Sequence, residues 1–367
     1  MGGIASIITA VITFLGGMPI AFALMVVAAV YILVVGEVPP DIIVQRIIAS
    51  IRDSSFLAFP FFFFAAELMN NGGVTKKLVR FAKATVGSLP GGLAVVVAAA
   101  SMMFASLTGA ALATVAAIGT LMYPAMVEAG YKRTFAAAVI AAASVMGPII
   151  PPSGSLMLWG ITAGVSVGQL LMAGWIPGIM MGGAMIIYIM AVAKKKECPV
   201  GEPFNLREFL SSFISAIPAL LLPVIVLGLI YTGVCTVSES AVIAVFYALL
   251  VNLVVYRDLD YRLIPSLAMK AGLFSSGISL IVGGGAALSW VLTRENVPQT
   301  LVNWFSSLSS DGLVTGFVIM VFLLILGCIM DNVPAIIMLA PMLDTLGRSF
   351  GFHSIHWGFF CTYVLLS

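Results

Sequence analysis

A chain of 367 residues in which 61% are hydrophobic and 9% charged, with a mean hydropathy of +1.16, is no soluble globule, whose charged share is about a quarter. The net charge of +2 is too small, and the basic residues too confined to loops, for a nucleic-acid partner. What remains is an integral membrane protein, and apolar runs of helical length rather than short alternating strands make it all-α and polytopic.

The N-terminal stretch MGGIASIITAVITFLGG has no basic region and stays apolar to Val35, so it reads as a retained membrane segment rather than a cleaved signal peptide. Gly16, Gly17 and Pro19 are expected to kink or divide it. Further apolar blocks follow near 54–69, 91–127, 134–160, 165–193, 210–233, 237–256, 264–292, 312–342 and 355–367, several of them too long for one simple span. The longest hydrophilic stretch is KKKECPVGEPFNLRE, 194–208, and no block is polar enough for a soluble capture domain or a nucleotide-binding domain. Cys198, Cys235, Cys328 and Cys361 are scattered without CxxC spacing and read as packing residues. His353 and His356 lack a nearby Cys or Glu to complete a metal set, which favours packing for them too.

The two halves resemble one another. LMNNGGVTKKLVRF (68–81) aligns with VLTRENVPQTLVNW (291–304), with Val74, Leu78 and Phe81 over Val297, Leu301 and Trp304. TVAAIGTLMYPAM (114–126) has a looser counterpart in DNVPAIIMLAPML (331–343), with Pro124 over Pro341. Lys76, Lys77, Arg80 and Lys83 make the first arm basic, whereas 296–312 holds no basic residue and one acid, Asp311. The positive-inside rule puts the two arms on opposite sides, which makes the repeat an inverted one, the plan of secondary transporters with sites near the midplane on discontinuous helices. Lys194, Lys195, Lys196, Arg207, Arg257 and Arg262 flank the helical pair 210–233 and 237–256 and put both its ends in the cytoplasm.

GPIIPPSGS, 147–155, interrupts an apolar context with helix breakers. Irregular backbone at membrane depth is tolerated where protein or a water-filled cavity meets its hydrogen bonds, and proline removes donors that would go unmet. Read as such a break, Pro151, Pro152, Ser153, Gly154 and Ser155 offer unwound carbonyls and hydroxyls to a sodium ion, and half-helix N–H groups to a carboxylate. The bland reading is a loop between two complete spans. A second break, FASLTGAALAT (104–114), brings Ser106, Thr108, Gly109 and Thr114, whose hydroxyls could equally bond back to the preceding turn. Its counterpart GCIMDNVPA (327–335) sets Asp331, Asn332 and Pro334 inside an apolar stretch, either as a functional acid site or as a carboxylate at a span end.

Glu67, a turn before Asn70, Asn71 and the basic arm, is expected in a structural ion pair. Glu239 follows Thr236 and Ser238 at a helix start and is expected to cap it. Gly174, Gly178 and Gly182 follow the small-xxx-small rule of close helix packing.

The run 104–160, FASLTGAALATVAAIGTLMYPAMVEAGYKRTFAAAVIAAASVMGPIIPPSGSLMLWG, resembles the large membrane subunit of tripartite ATP-independent periplasmic (TRAP) transporters, the DctM-like family. FLAFPFFFFAAELMNNGGVTKKLVRFAKATVGSLPGGL (56–93), GVCTVSESAVIAVFYALL (233–250), LTRENVPQTL (292–301) and DNVPAIIMLAPML (331–343) extend the likeness over essentially the whole chain. That resemblance implies an inner-membrane, sodium-driven symporter for small organic anions such as C4-dicarboxylates. It implies an elevator-like moving part with two re-entrant hairpins, a small membrane subunit and a periplasmic substrate-binding protein as partners, contact with membrane lipid, and no enzymatic activity. Sodium would be the coupling ion, and no other cofactor is implied. The first hairpin would run from about Phe104 to Pro124, and Asp331 to Pro334 would open the second.

The family commonly has a serine-glycine-serine tip, where this chain has Thr108, Gly109, Ala110 and Ala111. The chain also stops at CTYVLLS, before a second proline-proline-glycine break, and so reads either as truncated or as incomplete as a transporter. The expected division is a first repeat at 1–196, a cytoplasmic linker with the connecting helical pair at 197–261, and a second, incomplete repeat at 262–367. The competing readings are another membrane ion or solute transporter and a nonfunctional scaffold. A channel lacks a repeated polar lining, and an enzyme lacks a clustered nucleophile and base.

Overall fold

The computed structural model describes residues 2–36, 39–52, 54–193, 198–199, 203–308 and 311–366. Those residues form α-helices, a few short 3₁₀ or π turns and loops, with no strand among them. The apolar blocks of the sequence become helices, and their length decides where they break. The first block divides at Gly16–Pro19 into α1 (Gly2–Leu15) and α2 (Ile20–Val35), as expected. The short α3 (Asp41–Ile51), α4 (Ala58–Asn71) and α5 (Val74–Val86) precede the longest apolar run, which breaks at Gly109 into α6 (Gly92–Thr108) and α7 (Ala111–Glu128).

After α8 (Arg133–Ser144) the chain is irregular until α9 (Gly154–Ala163); α10 (Val167–Ala193), α11 (Leu206–Tyr231) and α12 (Val237–Leu250) follow. The rest is α13 (Ile264–Arg294), α14 (Val297–Leu308), α15 (Gly312–Ile329), α16 (Asn332–Ser349) and α17 (Ser354–Leu366). Among the described residues, five helices are long and apolar enough to cross a membrane, or up to seven if two bent pairs each count as one span.

Packing divides the chain into two units. One gathers Met1–Leu57, Ser155–Leu170 and Leu273–Ser367; the other gathers Ala58–Gly154 and Leu171–Gly272. In the first unit, α13 is the hub. Its residues Gly283, Gly284 and Gly285 follow one another at about 100° around the helix, so the three open in three directions. A methyl group at Gly283 would stand 2.9 Å from Ile47 of α3, one at Gly284 would stand 2.7 Å from the Ala21 carbonyl of α2, and one at Gly285 would strike Ile337 of α16. Ala28, Tyr31 and Ile32 of α2 then pack on Ala287 and Val291 of α13, while Leu24 and Val27 pack with Leu288.

In the second unit, α4 packs along α12, and α5 lies against α6 and α11. Phe81 of α5 meets the rings of Phe209 and Phe213 at 5.8 and 5.4 Å. The glycine spacing in α10 does what small residues do between membrane helices: Gly178 makes room for Ile150 and Gly182 for Met102. The Glu239 carboxylate completes a capping box with Thr236 at the start of α12, and the His353 imidazole accepts the Ile355 N–H at 3.3 Å, where α17 begins.

The two halves share an order of elements. Arm α5, helices α6 and α7 about a break, and α8 correspond to arm α14, helices α15 and α16 about a break, and α17. Within its own unit each trio packs alike, α6 with α7 and α8, and α15 with α16 and α17. The arms differ: Phe81 is buried against α11, whereas Trp304, its sequence counterpart, is 54% exposed and meets Phe305 edge-on. No equivalent of α11 packs on α14 among the described residues.

Glu67 is buried in α4, and its expected ion pair forms with Lys270 of α13 at 2.9 Å rather than with the neighbouring basic arm. Removing the cation would leave a desolvated carboxylate. Lys270→Met is expected to cost about 1–2 kcal/mol, the modest figure reflecting a lysine head that is largely solvated. The double variant Glu67→Gln/Lys270→Met should recover more than half of that loss in thermal unfolding of the detergent-purified protein; strictly additive losses would show that the two groups are not coupled.

Candidate functional site

Residues 147–153 are buried throughout, and Ser153 is fully so. That burial rules out a solvated loop between two complete spans. The segment survives without helical bonding because few of its donors go unmet. Gly147 N–H donates to the Ser144 carbonyl at 2.9 Å, and Ile149 and Ile150 both donate to the Met146 carbonyl at 3.1 and 3.0 Å. Pro148, Pro151 and Pro152 have no N–H to satisfy. The Ser153 hydroxyl donates to the Pro148 carbonyl, and the Pro151–Pro152 peptide bond is cis.

Against this break stands the turn between α6 and α7. Gly109 ends α6 in the left-handed region at φ +61, conformational space that a residue with a Cβ enters only at a cost. Its carbonyl accepts the Gly154 N–H at 3.4 Å, and a methyl group on Gly109 would overlap the Pro152 carbonyl oxygen. Gly147 matches it from the other side: a methyl group there would stand 2.8 Å from the Ala110 carbonyl and 3.0 Å from Thr114 Oγ1. Gly154 in turn faces the Phe59 ring of α4, which a methyl group would approach to 3.2 Å. Turn and break therefore meet backbone to backbone, at a distance only glycine permits.

At this contact two hydroxyls converge. Thr108 Oγ1 donates to the Phe104 carbonyl at 3.3 Å and Thr114 Oγ1 to the Ala110 carbonyl at 3.0 Å, and the two oxygens lie 3.4 Å apart. At that separation either hydroxyl can also donate to the other, so the pair forms a small polar cluster of oxygens at the contact. Ser106 sits deeper in α6, its hydroxyl turned back to the Met103 carbonyl at 2.7 Å.

The first unit holds the remaining candidates. Asp331 breaks the long apolar stretch into α15 and α16 and caps α16, its Oδ1 accepting the Asn332 N–H at 2.9 Å. Asp331 is exposed, Asn332 half-buried and Pro334 buried. The Asn332 amide donates through Nδ2 to Ser155 Oγ at 2.8 Å, joining two residues 177 positions apart at the start of α9. Among the described residues no group of three metal-ligating His, Cys, Asp or Glu side chains forms. Sequence reading passed over Phe59 and the pairing of Gly147 with Thr114, because nothing local in either stretch says which backbone will be its neighbour.

The helices and their glycine-held breaks define a multi-pass membrane protein. Comparison with known proteins agrees: residues 7–366 match the family model "Tripartite ATP-independent periplasmic transporter, DctM component". The 2,3-diketo-L-gulonate TRAP transporter large permease protein YiaN of Escherichia coli is 34% identical over 357 residues, 95% of this chain and 84% of its own. The C4-dicarboxylate TRAP transporter large permease protein DctM of Pseudomonas aeruginosa is 36% identical over 304 residues, 83% and 71% of the two chains. The isethionate TRAP transporter permease protein DctMQ of Oleidesulfovibrio alaskensis is 36% identical over 344 residues, 93% of this chain, which spans 54% of that longer protein. The chain belongs to the DctM family of TRAP transporter large permeases. It is a transport protein of the bacterial inner membrane, not an enzyme.

Replacement of Gly109 by alanine adds steric overlap to backbone strain. Gly164, at φ +68 with open space around it, isolates the strain alone. Gly109→Ala is expected to cost roughly 2–4 kcal/mol and Gly164→Ala about 1 kcal/mol. Equal losses in thermal unfolding would remove the tip contact from the account.

Proposed function

We propose that this chain is the membrane-conducting subunit of a sodium-coupled symporter that carries a small organic anion into the cytoplasm. The observation that carries the reading is the pair of threonine oxygens, Thr108 and Thr114, held 3.4 Å apart where the Gly109 turn packs on the proline break. Sodium takes oxygen ligands, and two hydroxyl oxygens beside unwound backbone are such a set. The break residues Pro151, Pro152, Ser153 and Gly154 would add main-chain carbonyls. For the anion, the start of α9 offers the positive end of its helix dipole beside Ser155, and the Asn332 amide offers donors of its own. Asp331 and Pro334 would shape the same region in the second repeat.

The short helices fit this reading. At 12 and 10 residues, α8 and α9 are each about half a span, as in discontinuous transporter helices. Helix α6, with 17 residues folded back on α7, suits a re-entrant hairpin. Alternating access by an elevator-type movement of the hairpin-bearing helices is the corresponding mechanism, with the two repeats inverted. The relatives are named for isethionate, 2,3-diketo-L-gulonate and C4-dicarboxylate, each a small organic anion, and a carboxylate is the substrate class we favour. A periplasmic substrate-binding protein and a small membrane subunit are the expected partners in a tripartite system, the latter in keeping with the joined DctMQ name of one relative.

Thr114→Val keeps the shape of the side chain and deletes the oxygen. Wild-type protein in sodium, against matched potassium, should gain about 2.7 kcal/mol of apparent stability at one hundred times the dissociation constant. Thr114→Val should lose most of that gain, while Thr120→Val, whose exposed hydroxyl bonds within α7, should keep it. Sodium stabilisation undiminished in Thr114→Val would place the ion elsewhere.

A further inference from the structure

The first unit contains a cavity of about 480 Å³, a volume suited to a small organic ligand. Its polar lining comes from Arg46 and Ser50 of α3, Thr162 of α9, and Ser289 and Thr293 of α13. The apolar lining includes Ile161, Val282 and Ile337. No carboxylate lines it, and among the described residues Arg46 has neither an ion pair nor a hydrogen bond. Nearby acids are engaged: Asp41 accepts from Gln45 at 3.1 Å, and Glu295 accepts the Tyr31 hydroxyl at 2.6 Å. Three of the lining hydroxyls, on Ser50, Thr162 and Thr293, donate to carbonyls of their own helices at 2.9, 2.7 and 2.8 Å. Arg46 is thus the strong donor of the cavity. A second guanidinium, Arg294, lies 5.7 Å from the ring centroid of Trp290, which forms part of the wall, and adds positive potential.

We propose that this cavity is an anion-binding site in which Arg46 recognises the oxyanion head of a ligand with a small apolar body. The planar guanidinium fork matches carboxylate, sulfonate and phosphate alike through two parallel hydrogen bonds, and the aliphatic walls take the carbon part. A guanidinium that lines the cavity with no carboxylate beside it favours an anionic occupant over a neutral one. The site does not include the threonine pair or the proline break, so it stands independently of the sodium reading. Its ligand is either a soluble organic acid or the phosphodiester head of an anionic lipid.

The test uses the purified chain in sodium-free potassium buffer, which keeps it apart from sodium-dependent binding. Calorimetric titration with succinate and with methanesulfonate reports the soluble source. Native mass spectrometry from nanodiscs of phosphatidylglycerol, against phosphatidylcholine, reports the lipid source. Arg46→Gln should weaken binding of at least one of the three anionic probes about tenfold or more, while Arg52→Gln, an exposed arginine that does not line the cavity, should leave all three unchanged. Loss confined to succinate or methanesulfonate assigns a soluble ligand, and loss confined to the phosphatidylglycerol adduct assigns a lipid. Wild-type protein that binds none of the probes, or Arg46→Gln protein that binds all of them as wild type does, overturns the proposal.

Discussion

The contact on which the site depends is the meeting of two stretches of bare backbone, the Gly109 turn and the Pro148–Gly154 break. Away from water, peptide groups must find partners within the protein, and an irregular segment ordinarily supplies too many of them. Here three prolines subtract donors, local turns satisfy most of the rest, and the Gly154 N–H reaches across to the Gly109 carbonyl. Glycine at 109 and 147 lets the two main chains approach until Thr114 touches the break. The helices on either side are then held by their ends as well as by their flanks.

The same device recurs in the first unit on a continuous helix. Lipid tails are as apolar as leucine, so membrane helices gain little from hiding apolar side chains and rely on close packing. Three consecutive glycines in α13 let α3, α2 and α16 each come near a different side of one axis. The cavity lined by Arg46 opens beside this hub, with Gly285 in its wall, where the lack of a side chain leaves space that a larger residue would fill.

Charge is scarce in this chain and is used locally. Lys77 pairs with Asp258, Arg80 with Glu208 at 2.7 Å, Lys270 with Glu67, and Arg348 with Asp344 at 2.8 Å. The first three bind helices far apart in sequence within the second unit, so the basic arm α5 that signals orientation also anchors α11 and the segment after α12. Relatives named for chemically different anions match along most of this chain.

Composition and block length determined by themselves that the chain is a multi-pass helical membrane protein, because few charges and long apolar runs leave no other stable form. Breaks at Gly16–Pro19, Gly109 and Asp331 were legible because glycine, proline and a capping aspartate act within a turn or two of themselves. So were the Glu239 cap and the need of Glu67 for a cation. Which cation that would be was not, since Lys270 lies 203 residues away. Nor could spacing say that Ser155 would receive the Asn332 amide, that Gly147 would sit on Thr114, or that the Trp304 arm would lack the cover given to Phe81. These are matters of which surfaces meet once helices pack, and a helix carries too little information in its own period to name its neighbour. Only the tertiary structure closes those distances, and with them it turns a list of polar residues in an apolar chain into an oxygen pair, a capped break and a cavity with one free guanidinium among the described residues.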